Sequence, residues 1–317
     1  MKNKIYNFVI IVLFIIAISG CLEFFDSGSK IIYVGIDADY TRIQDAIYNT
    51  SDGDIVFVYD GIYSEILVIN KSIDLIGESR ENTIVVYPKT INVDSKNVIH
   101  VVEDNCSIKE LTVVGAGTYS EVMGVNLNSS YNIISGIVVL DSYIGINVGD
   151  YTKKNNVSAN SLSDNLYGVS LHQSNNNNVS KNTISSSVLC GIYIHLSEDN
   201  NIFKNILSDN YYGMSIKGSE QNIIFQNRIF GNKRGVNLCC GSGYNIIYNN
   251  IFENNSEYNA NDELFNQWYY GGVGNFWHDY IGEDNDGDGI GDVPYNISGG
   301  ENVDRYPLMN NPFLDLD

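Results

Sequence analysis

A glycine and an asparagine recur at a nearly constant spacing through the middle of the chain. Gly145, Gly168, Gly191, Gly213 and Gly235 are separated by 23, 23, 22 and 22 residues, subtracting each number from the next. Asn160, Asn182, Asn205, Asn227 and Asn250 keep nearly the same step. A period of this length is typical of a solenoid, in which each repeat packs on its neighbours.

The residues inside each repeat predict β-strands. After each glycine, as in residues 168–172 and 191–195, apolar and polar residues alternate with the period of a strand. A short apolar element precedes each repeated asparagine, and another follows it. Three strands of about three to five residues fill one turn of a β-helix, whereas a helix-containing repeat needs helical spacing over ~10 residues. Leucine-rich repeats are the rival solenoid, but their L-x-x-L-x-L framework does not surround the asparagine.

The repeated asparagines have a physical role in such a solenoid. Successive coils lie about 4.8 Å apart, so equivalent side chains stack in rows. Asparagine tolerates left-handed backbone geometry, and its amide can bond both to a turn and to the next asparagine in the row. We therefore expect an asparagine ladder at an inward corner of each coil.

The N-terminal residues predict export from the cytoplasm. Lys2 and Lys4 precede an apolar run that is shorter than the ~20 residues needed to span a bilayer, so we interpret residues 1–20 as a signal peptide. Residues 18–21, Ile-Ser-Gly-Cys, resemble a lipoprotein processing box, which implies lipidation of Cys21 and a membrane tether over residues 21–30. An uncleaved anchor and a plain secretory signal are the alternatives. The expected location is the extracellular face of the membrane.

The net charge of the chain excludes nucleic acid as a binding partner. The chain has 38 acidic and 18 basic residues and a net charge of −20, so it should repel nucleic acid.

The cysteines beyond Cys21, which are Cys106, Cys190, Cys239 and Cys240, show no metal-ligand spacing. Cys190 and Cys239 lie two coils apart, too far for a disulfide. We expect Cys106 and Cys190 to be buried small hydrophobes, with a bond between other partners left open.

Residues 41–79 resemble the opening of the pectate-lyase-like superfamily of right-handed parallel β-helices. The likeness consists of an amphipathic helix, Gly53-Asp54, a buried strand and the motif Gly61-Ile62-Tyr63-Ser64-Glu65. Residues 41–44 match a capping box, so we expect a helix to begin there and to cover the open end of the first coil. The predicted fold is all-β, a right-handed parallel β-helix over residues 31–256 with coils of about 22 residues. Single strands are expected at residues 83–87, 98–102, 107–114 and 122–127.

Residues 257–317 predict an irregular C-terminal cap. Tyrosine, phenylalanine and tryptophan are frequent from Tyr258 to Tyr280. We expect these aromatic residues to cover the second open end of the solenoid, and sugar-stacking platforms are the alternative.

An acidic loop within the cap predicts a structural calcium site. Asp284, Asp286, Asp288 and Asp292 occupy positions one, three, five and nine, and Ile290 would offer its backbone carbonyl at position seven. These are the oxygen ligands that Ca²⁺ prefers. Tyr295 replaces the glutamate expected at position twelve, so Glu301, Asp304 or water would complete the site. No flanking helix is predicted, and the loop resembles the calcium loops of dockerin and thrombospondin type 3 repeats.

The C-terminal sequence as a whole is similar to archaeal proteins of the NosD family, a β-helix group associated with copper delivery. This similarity lies in residues 274–277, 286–292, 294–295 and 304–308. Copper handling favours clustered histidine, methionine or thiolate, and the chain has only 4 histidines and 4 methionines, so we expect copper to be an improbable cofactor. His172 and His195, each four residues after a glycine, should be neighbours on adjacent coils and are the candidate ligand row. Lys217 continues that row and disfavours a cation.

The sequence does not predict catalysis. The basic residues Lys204, Lys217, Arg228 and Arg234 gather no acidic cluster, and Asp164 and Asp209 lie two coils apart with Ser186 between them, a ~10 Å gap that exceeds the spacing of an inverting pair. We expect a monomeric, exported lipoprotein that acts as a structural or carbohydrate-binding module at a polysaccharide or glycoprotein surface. A polysaccharide lyase or hydrolase and a NosD-like copper-delivery protein are the alternatives.

Overall fold

The chain folds into an all-β parallel β-helix, as predicted. The computed structural model describes residues 28–88 and 95–312. Equivalent strands of successive coils pair in parallel and build three long sheets of ten, nine and ten strands, here named A, C and B. The signal peptide and Cys21, predicted from the sequence, lie outside the described residues.

Sheet A contains, in spatial order, β1 (Ile31–Val34), β2 (Ile55–Val58), β5 (Asp74–Gly77), β8 (Ser107–Lys109), β11 (Ile133–Ser135), β14 (Asn156–Ser158), β17 (Asn178–Ser180), β20 (Asn201–Phe203), β23 (Ile223–Phe225) and β26 (Ile246–Tyr248). Sheet B contains β3 (Gly61–Ser64), β6 (Thr83–Val86), β9 (Thr112–Val114), β12 (Val138–Leu140), β15 (Ser161–Ser163), β18 (Thr183–Ser185), β21 (Ile206–Ser208), β24 (Arg228–Phe230), β27 (Ile251–Glu253) and β29 (Phe276–Trp277).

Sheet C contains β4 (Leu67–Ile69), β7 (Asn97–Val101), β10 (Met123–Leu127), β13 (Ile144–Val148), β16 (Tyr167–His172), β19 (Cys190–His195), β22 (Tyr212–Lys217), β25 (Arg234–Cys239) and β28 (Tyr258–Asp262). A helix, α1 (Ile43–Tyr48), precedes the second coil, and an antiparallel pair, β30 (Tyr295–Asn296) and β31 (Val303–Asp304), lies in the C-terminal region.

The register between coils follows the sequence period. Val157 pairs with Val179, and Val179 pairs with Ile202, which are steps of 22 and 23 residues. These inward-facing side chains are fully or almost fully buried, and they belong to one continuous hydrophobic core. Apolar and polar residues alternate along each strand because one face of the strand packs on this core and the other faces outward.

The repeated glycines mark a close approach between coils. A Cβ atom added to Gly168 would lie 2.6 Å from the carbonyl oxygen of Gly191, and one added to Gly191 would lie 2.6 Å from that of Gly213. Any larger residue would therefore push adjacent coils apart.

The predicted asparagine ladder is present, and it is one of several. Asn182 donates its backbone N–H to Asn205 Oδ1 at 3.0 Å, and Asn205 donates in the same way to Asn227 at 3.0 Å. Two further asparagine rows, at Asn132, Asn155, Asn177, Asn200, Asn222, Asn245 and Asn266 and at Asn165, Asn210, Asn232 and Asn255, make equivalent bonds. A serine row, Ser174, Ser197, Ser219 and Ser242, does the same with hydroxyl oxygens. Buried corners thus have their backbone donors satisfied.

The helix α1 is present, but the predicted capping box is wrong. Arg42 is the N-cap residue and makes no side-chain cap bond. The backbone N–H groups of Ile43 and Gln44 instead donate to the Glu65 carboxylate at 3.0 and 3.2 Å. A buried glutamate from the next coil therefore caps this helix, because an anion is stabilised at a helix N-terminus.

Two other expectations need correction. Residues 107–114 form two strands, β8 and β9, because the chain turns at Glu110, whose φ is 52°. The parallel sheets also continue beyond residue 256, where the sequence pattern ends, through β28 and β29. Buried Trp268 and Trp277, with Phe252, then fill the end of the core. Because both indoles are inaccessible, they cannot serve as sugar-stacking platforms.

Candidate functional site

The outer face of sheet C brings together the predicted histidine row and several tyrosines. On β16, Val169 and Leu171 point into the core, so Ser170 and His172 point outward. Tyr167, at the start of the strand, is partly exposed, and its ring contacts that of Tyr193 on this face. On β19, Tyr193 and His195 point outward in the same way. His172 is the direct neighbour of His195 in the sheet, as the sequence predicts.

The rings on this face contact one another without stacking into a closed column. The ring centroids of Tyr143 and Tyr167 lie 6.0 Å apart with planes at 74°, and those of Tyr167 and Tyr193 lie 5.2 Å apart at 38°. The two imidazole centroids are 5.0 Å apart at 48°, and Tyr193 stacks on His195 at 5.8 Å and 19°. Tilted rings leave part of their faces free for a ligand.

An acidic side chain from the preceding coil orients His172. Asp150 Oδ1 lies 2.5 Å from His172 Nδ1, so an Nδ1–H group donates to the carboxylate and Nε2 is the free ring nitrogen. Burial lowers the pKa of His195, and the neighbouring charges of His172 and Lys217 lower it further. His195 is therefore held in its neutral form more strongly than an isolated imidazole.

These side chains border a groove of about 300 Å³, here named the sheet C groove. Nine residues line it: Met123, Tyr143, Ile144, Asn147, Asp150, Tyr167, Ser170, His172 and Tyr193. Asn147 and Ser170 are nearly buried and lie at its base. Burial raises the pKa of Tyr167 to about 12, so its hydroxyl stays protonated and available as a donor.

The charge around the groove is acidic rather than basic. Asp150 is the acidic residue of its lining, and the lining contains neither lysine nor arginine. Lys217 approaches from the next coil, with its Nζ 5.8 Å from the Tyr193 ring centroid. The site therefore offers hydrogen-bond donors, acceptors and ring faces, and no cluster of cations that would bind a polyanion.

A second row of aromatic residues, on sheet A, has a different geometry. Phe203 and Phe225 stack at 5.0 Å with planes at 9°, and Phe225 and Tyr248 stack at 5.5 Å and 11°. The faces of these rings are covered by one another, and only their edges remain for other contacts. This row stabilises the coils and is a poor ligand platform.

The predicted calcium loop places three of its four aspartates together. One carboxylate oxygen from each of Asp284, Asp286 and Asp288 lies within 4.8 Å of the others. Asp284 accepts the backbone N–H groups of Gly287 and Gly289 at 2.7 and 3.0 Å, and Asp288 accepts that of Ile290 at 2.8 Å. The loop is thus curled around its acidic side chains.

The remaining predicted ligands lie apart from this trio. Asp292 accepts from the backbone and side-chain nitrogens of Asn285, both at 2.8 Å, and these bonds lower its pKa. Tyr295 stacks on Trp277 at 4.2 Å and donates to Asp279. Asp304 is fully buried, where it accepts from Trp277 Nε1 at 2.9 Å and from Asn275. Asp304 therefore cannot complete the loop, contrary to one of the two guesses made from sequence.

The residues considered for catalysis do not converge. Asp164, Ser186 and Asp209 all lie in left-handed turns, with φ near 55°, and all three are exposed. Arg228 and Arg234 each pair with one glutamate, Glu253 and Glu257. Ser186 and Asp209 border one open surface groove, whose lining includes neither Asp164 nor the two arginines.

Sequence reasoning missed the groove itself. Tyr193 could have been found by the same row counting that found His172 and His195, because its strand neighbour is Ser170. Asp150 and Tyr143 follow or precede strands in the adjacent coil, and only the folded structure brings them to His172 and Tyr167.

The comparisons with known proteins give a family and a fold. A family model described as "Periplasmic copper-binding protein (NosD)" matches residues 47–282, well over half of the chain. Two curated relatives are similar over 93 residues: "Probable ABC transporter binding protein NosD" from Pseudomonas aeruginosa, at 41% identity, and the protein of the same name from Stutzerimonas stutzeri, at 38%. Each match covers 26% of this chain and 21% or 20% of the relative, so it spans about a fifth of those proteins.

These findings bear on two expectations. Both relatives are bacterial, so they give no support to the archaeal character expected from the C-terminal motif. The family description names copper, which fits poorly with the expectation that copper is improbable.

Solved structures with the same fold include enzymes and a sugar complex. The chain is similar to XylC with xylose (TM-score 0.56, 10% identity, covering 76% of this chain and 71% of that one). It is also similar to pectate lyase Pel9A, with a TM-score of 0.53 and 15% identity over 79% of this chain and 74% of that one. The similarity to an alginate lyase from Paenibacillus has a TM-score of 0.51 and 13% identity over 78% of this chain and 97% of that one. At these identities the likeness establishes the fold alone.

Among the described residues, no helix is long and apolar enough to cross a membrane.

Proposed function

The chain belongs to the NosD family, and from that membership we propose an extracytoplasmic binding protein that holds an extended neutral polysaccharide in the sheet C groove. The family description is periplasmic and the curated relatives are named as binding proteins, which supports a binding role outside the cytoplasm. Structural neighbours named for a complex with xylose and for the lysis of alginate and pectate indicate that this fold accommodates carbohydrate in other proteins.

One observation carries this proposal: tilted tyrosine rings flank a groove whose base is polar. Tyr167 and Tyr193 offer ring faces to the apolar side of a sugar, and Asn147, Ser170 and Asp150 offer hydrogen bonds to its hydroxyls. Ligand sites of this kind combine apolar walls with a few polar groups that fix orientation.

The charge of the groove selects the kind of polysaccharide. A polyuronate would bring its carboxylates toward Asp150 on a chain of net charge −20, and the groove lining supplies no arginine or lysine to neutralise them. A neutral glycan meets no such repulsion.

Glycan binding by matched tyrosine variants tests the proposal. Removing the Tyr193 ring should expose about 60–80 Å² of apolar surface in the complex, which is about 1.5–2 kcal/mol and a ten- to thirtyfold weaker affinity in Tyr193→Ala. The control is Tyr270→Ala, an exposed tyrosine at the end of the sheet A row, which should leave binding unchanged. Equal losses in both variants, or preference for alginate or pectate over neutral glycans, would contradict the proposal. Cleavage of the bound glycan would instead make the protein an enzyme.

Copper handling is the second candidate function, supported by the family description and by the adjacent imidazoles of His172 and His195. Imidazole suits Cu(II), but this row offers two such ligands, and Lys217 follows them. Among the described residues, the three-ligand group close enough for one ion is the aspartate trio. The histidine row alone is therefore a poor copper site, and Cu(II) titration of His172→Ala/His195→Ala tests it.

We also propose that Asp284, Asp286 and Asp288 bind a structural Ca²⁺, with the Ile290 carbonyl and Asp292 drawn in as further ligands. Three carboxylates this close repel one another unless a cation lies among them. Calcium at a hundredfold excess over its dissociation constant would add about 2.7 kcal/mol to stability. The melting temperature should rise with Ca²⁺ in the wild type and not in Asp286→Asn.

Lipidation of Cys21 remains a proposal. A mature N-terminus at Cys21 carrying acyl groups, seen by mass spectrometry and lost in Cys21→Ala, would support attachment to the outer face of the membrane.

A further inference from the structure

Two cysteine side chains meet at the corner where β25 leaves sheet C. Cys239 is the last residue of β25, and Cys240 follows it with a left-handed φ of 60°. Their Sγ atoms lie 2.6 Å apart, closer than two unbonded sulfur atoms normally approach. Cys239 is 8% exposed and Cys240 is exposed, so a small reagent can reach the pair from the Cys240 side.

The turn explains why these neighbouring side chains converge. Successive residues of a strand point to opposite faces, so two adjacent cysteines normally diverge. The left-handed residue at Cys240 breaks this alternation. Ser242 holds the turn, because its backbone N–H and its hydroxyl donate to the Cys239 carbonyl at 3.2 and 2.9 Å. The fold itself therefore keeps the two sulfur atoms together.

The other described cysteines lie too far away to compete for either sulfur atom. Cys190 is on β19, and β22 separates that strand from β25, so the two strands are about 10 Å apart. Cys106 lies in the core near β8, where its Sγ contacts the carbonyl oxygens of Lys71 and Glu103. Within the part of the chain that the structure describes, Cys239 and Cys240 are each other's only possible disulfide partner.

The two thiols differ in their environment. Burial raises the pKa of Cys239 to about 11, although the positive charge of its strand neighbour Lys217 opposes this. Cys240 is exposed on the turn. An external reagent therefore meets Cys240 first, and Cys239 is the thiol that can close a bond to it.

We propose that Cys239 and Cys240 form a reversible disulfide with each other by exchange with a small external disulfide, RSSR. The Cys240 thiolate attacks one sulfur atom of RSSR and releases RS⁻. Cys239 then loses its proton, and its sulfur attacks Cys240 Sγ and displaces the second RS⁻. The two cysteines are thereby oxidised to one disulfide, and RSSR is reduced to two thiols, which take up the two protons that the cysteines released.

The proposed location of the protein allows such a bond to persist. Disulfides are maintained outside the cytoplasm, and the matching family is described as periplasmic. The bond does not depend on glycan binding, because neither cysteine lines the sheet C groove.

The covalent geometry of adjacent residues makes this disulfide easy to reduce. A trans peptide joins the two cysteines, which places their Cα atoms about 3.8 Å apart. Disulfides usually join Cα atoms about 4.4–6.8 Å apart, and departures from this range strain the bond. Strained and exposed disulfides are the labile ones, so we expect the pair to open and close with the redox state of its surroundings.

Peptide mapping tests the proposal, because trypsin isolates the pair in one fragment. Residues 235–304 contain neither lysine nor arginine, so the fragment 235–305 carries Cys239 and Cys240 and no other cysteine. The full chain is incubated with oxidised glutathione, alkylated while unfolded, and digested. The fragment should then be lighter than its dithiol form by two hydrogen atoms and carry no alkyl or glutathionyl group. Dithiothreitol before alkylation should instead give two alkyl groups on this fragment.

Two controls belong to the same experiment. Cys106 and Cys190, which lie in other fragments and are each 1% exposed, should survive the oxidant as thiols and be alkylated on unfolding. Cys240→Ser removes the exposed thiol, so Cys239 should also be recovered in alkylated form.

A second disulfide of ordinary geometry tests the lability. In a chain with Cys239 and Cys240 changed to serine, His172→Cys/His195→Cys joins neighbouring residues of adjacent strands. The Cys239–Cys240 bond should be reduced by glutathione at least about tenfold more readily than this engineered bond.

Four results would overturn the proposal. In the wild type these are two alkyl groups on the fragment after the oxidant, a stable glutathione adduct, or a cross-link from the fragment to another peptide. The fourth is a Cys239–Cys240 bond that resists reduction as well as the engineered bond does.

Discussion

Replacing Asn205 by alanine removes one rung from a buried asparagine ladder that links successive coils. Its side chain is fully buried and makes four hydrogen bonds. Oδ1 accepts from the backbone and side chain of Asn182, both at 3.0 Å, and Nδ2 donates to the Val179 carbonyl and to Asn227 Oδ1, both at 2.9 Å.

The expected loss of unfolding free energy follows from the buried groups that would lose Asn205 as a hydrogen-bond partner. The Asn182 N–H loses its acceptor and the Val179 carbonyl loses a donor, and a buried unsatisfied group costs about 1–3 kcal/mol, so Asn205→Ala should lose roughly 2–5 kcal/mol of unfolding free energy. Urea unfolding followed by circular dichroism measures this loss, and an unchanged slope of free energy against urea shows that the same transition is compared.

The control for this substitution is Asn178→Ala on β17. Asn178 is exposed, and its side chain accepts one bond from Asn201 at 3.1 Å, so its loss should cost less than about 0.5 kcal/mol. Equal effects of the two substitutions, or a loss below about 1 kcal/mol for Asn205→Ala, would refute the role assigned to the ladder.

Three further perturbations have defined outcomes. Ser187 takes the place of an asparagine in one ladder, and its buried hydroxyl has no hydrogen-bond partner. Ser187→Asn should restore the amide acceptor and raise the melting temperature. A lower melting temperature would mean that this corner cannot hold an amide. Glu65→Ala should cost about 1–2 kcal/mol, because two N–H groups of α1 lose their acceptor, and hydrogen exchange of Ile43 should quicken. His195 has a lowered pKa when folded, so it contributes stability that is present above about pH 6.5 and is lost as the pH falls through the folded pKa. His195→Gln should therefore flatten the rise of the urea midpoint between about pH 5 and 7, and an unchanged slope would contradict this sign.

Features that depend on the repeat alone could be predicted from the sequence. The step between Asn182 and Asn205 fixes which residues stack, so the parallel strands, the ladder and the pairing of His172 with His195 all follow from counting. Gly191 follows as well, because its row lies against the backbone of the next coil.

Features that join unlike parts of the chain could not be predicted. Glu65 caps α1 from the next coil, Asp150 reaches His172 from the preceding one, and Asp304 is buried under Trp277 rather than turned toward the acidic loop. Each contact depends on where a turn directs one side chain, which no periodicity encodes. Adjacent Cys239 and Cys240 have no metal spacing in sequence, and only a left-handed turn brings their sulfurs together.

The sheet C groove and its histidine row depend on equivalent residues of adjacent coils lying side by side. Cysteines introduced at His172 and His195 would have Cα atoms about 4.8 Å apart, within disulfide range, whereas cysteines at His172 and Lys217 would be about 10 Å apart. In a chain with Cys239 and Cys240 changed to serine, mild oxidation should close the first pair and leave the second pair open. A disulfide in the second pair with free thiols in the first would contradict the stacking of the coils.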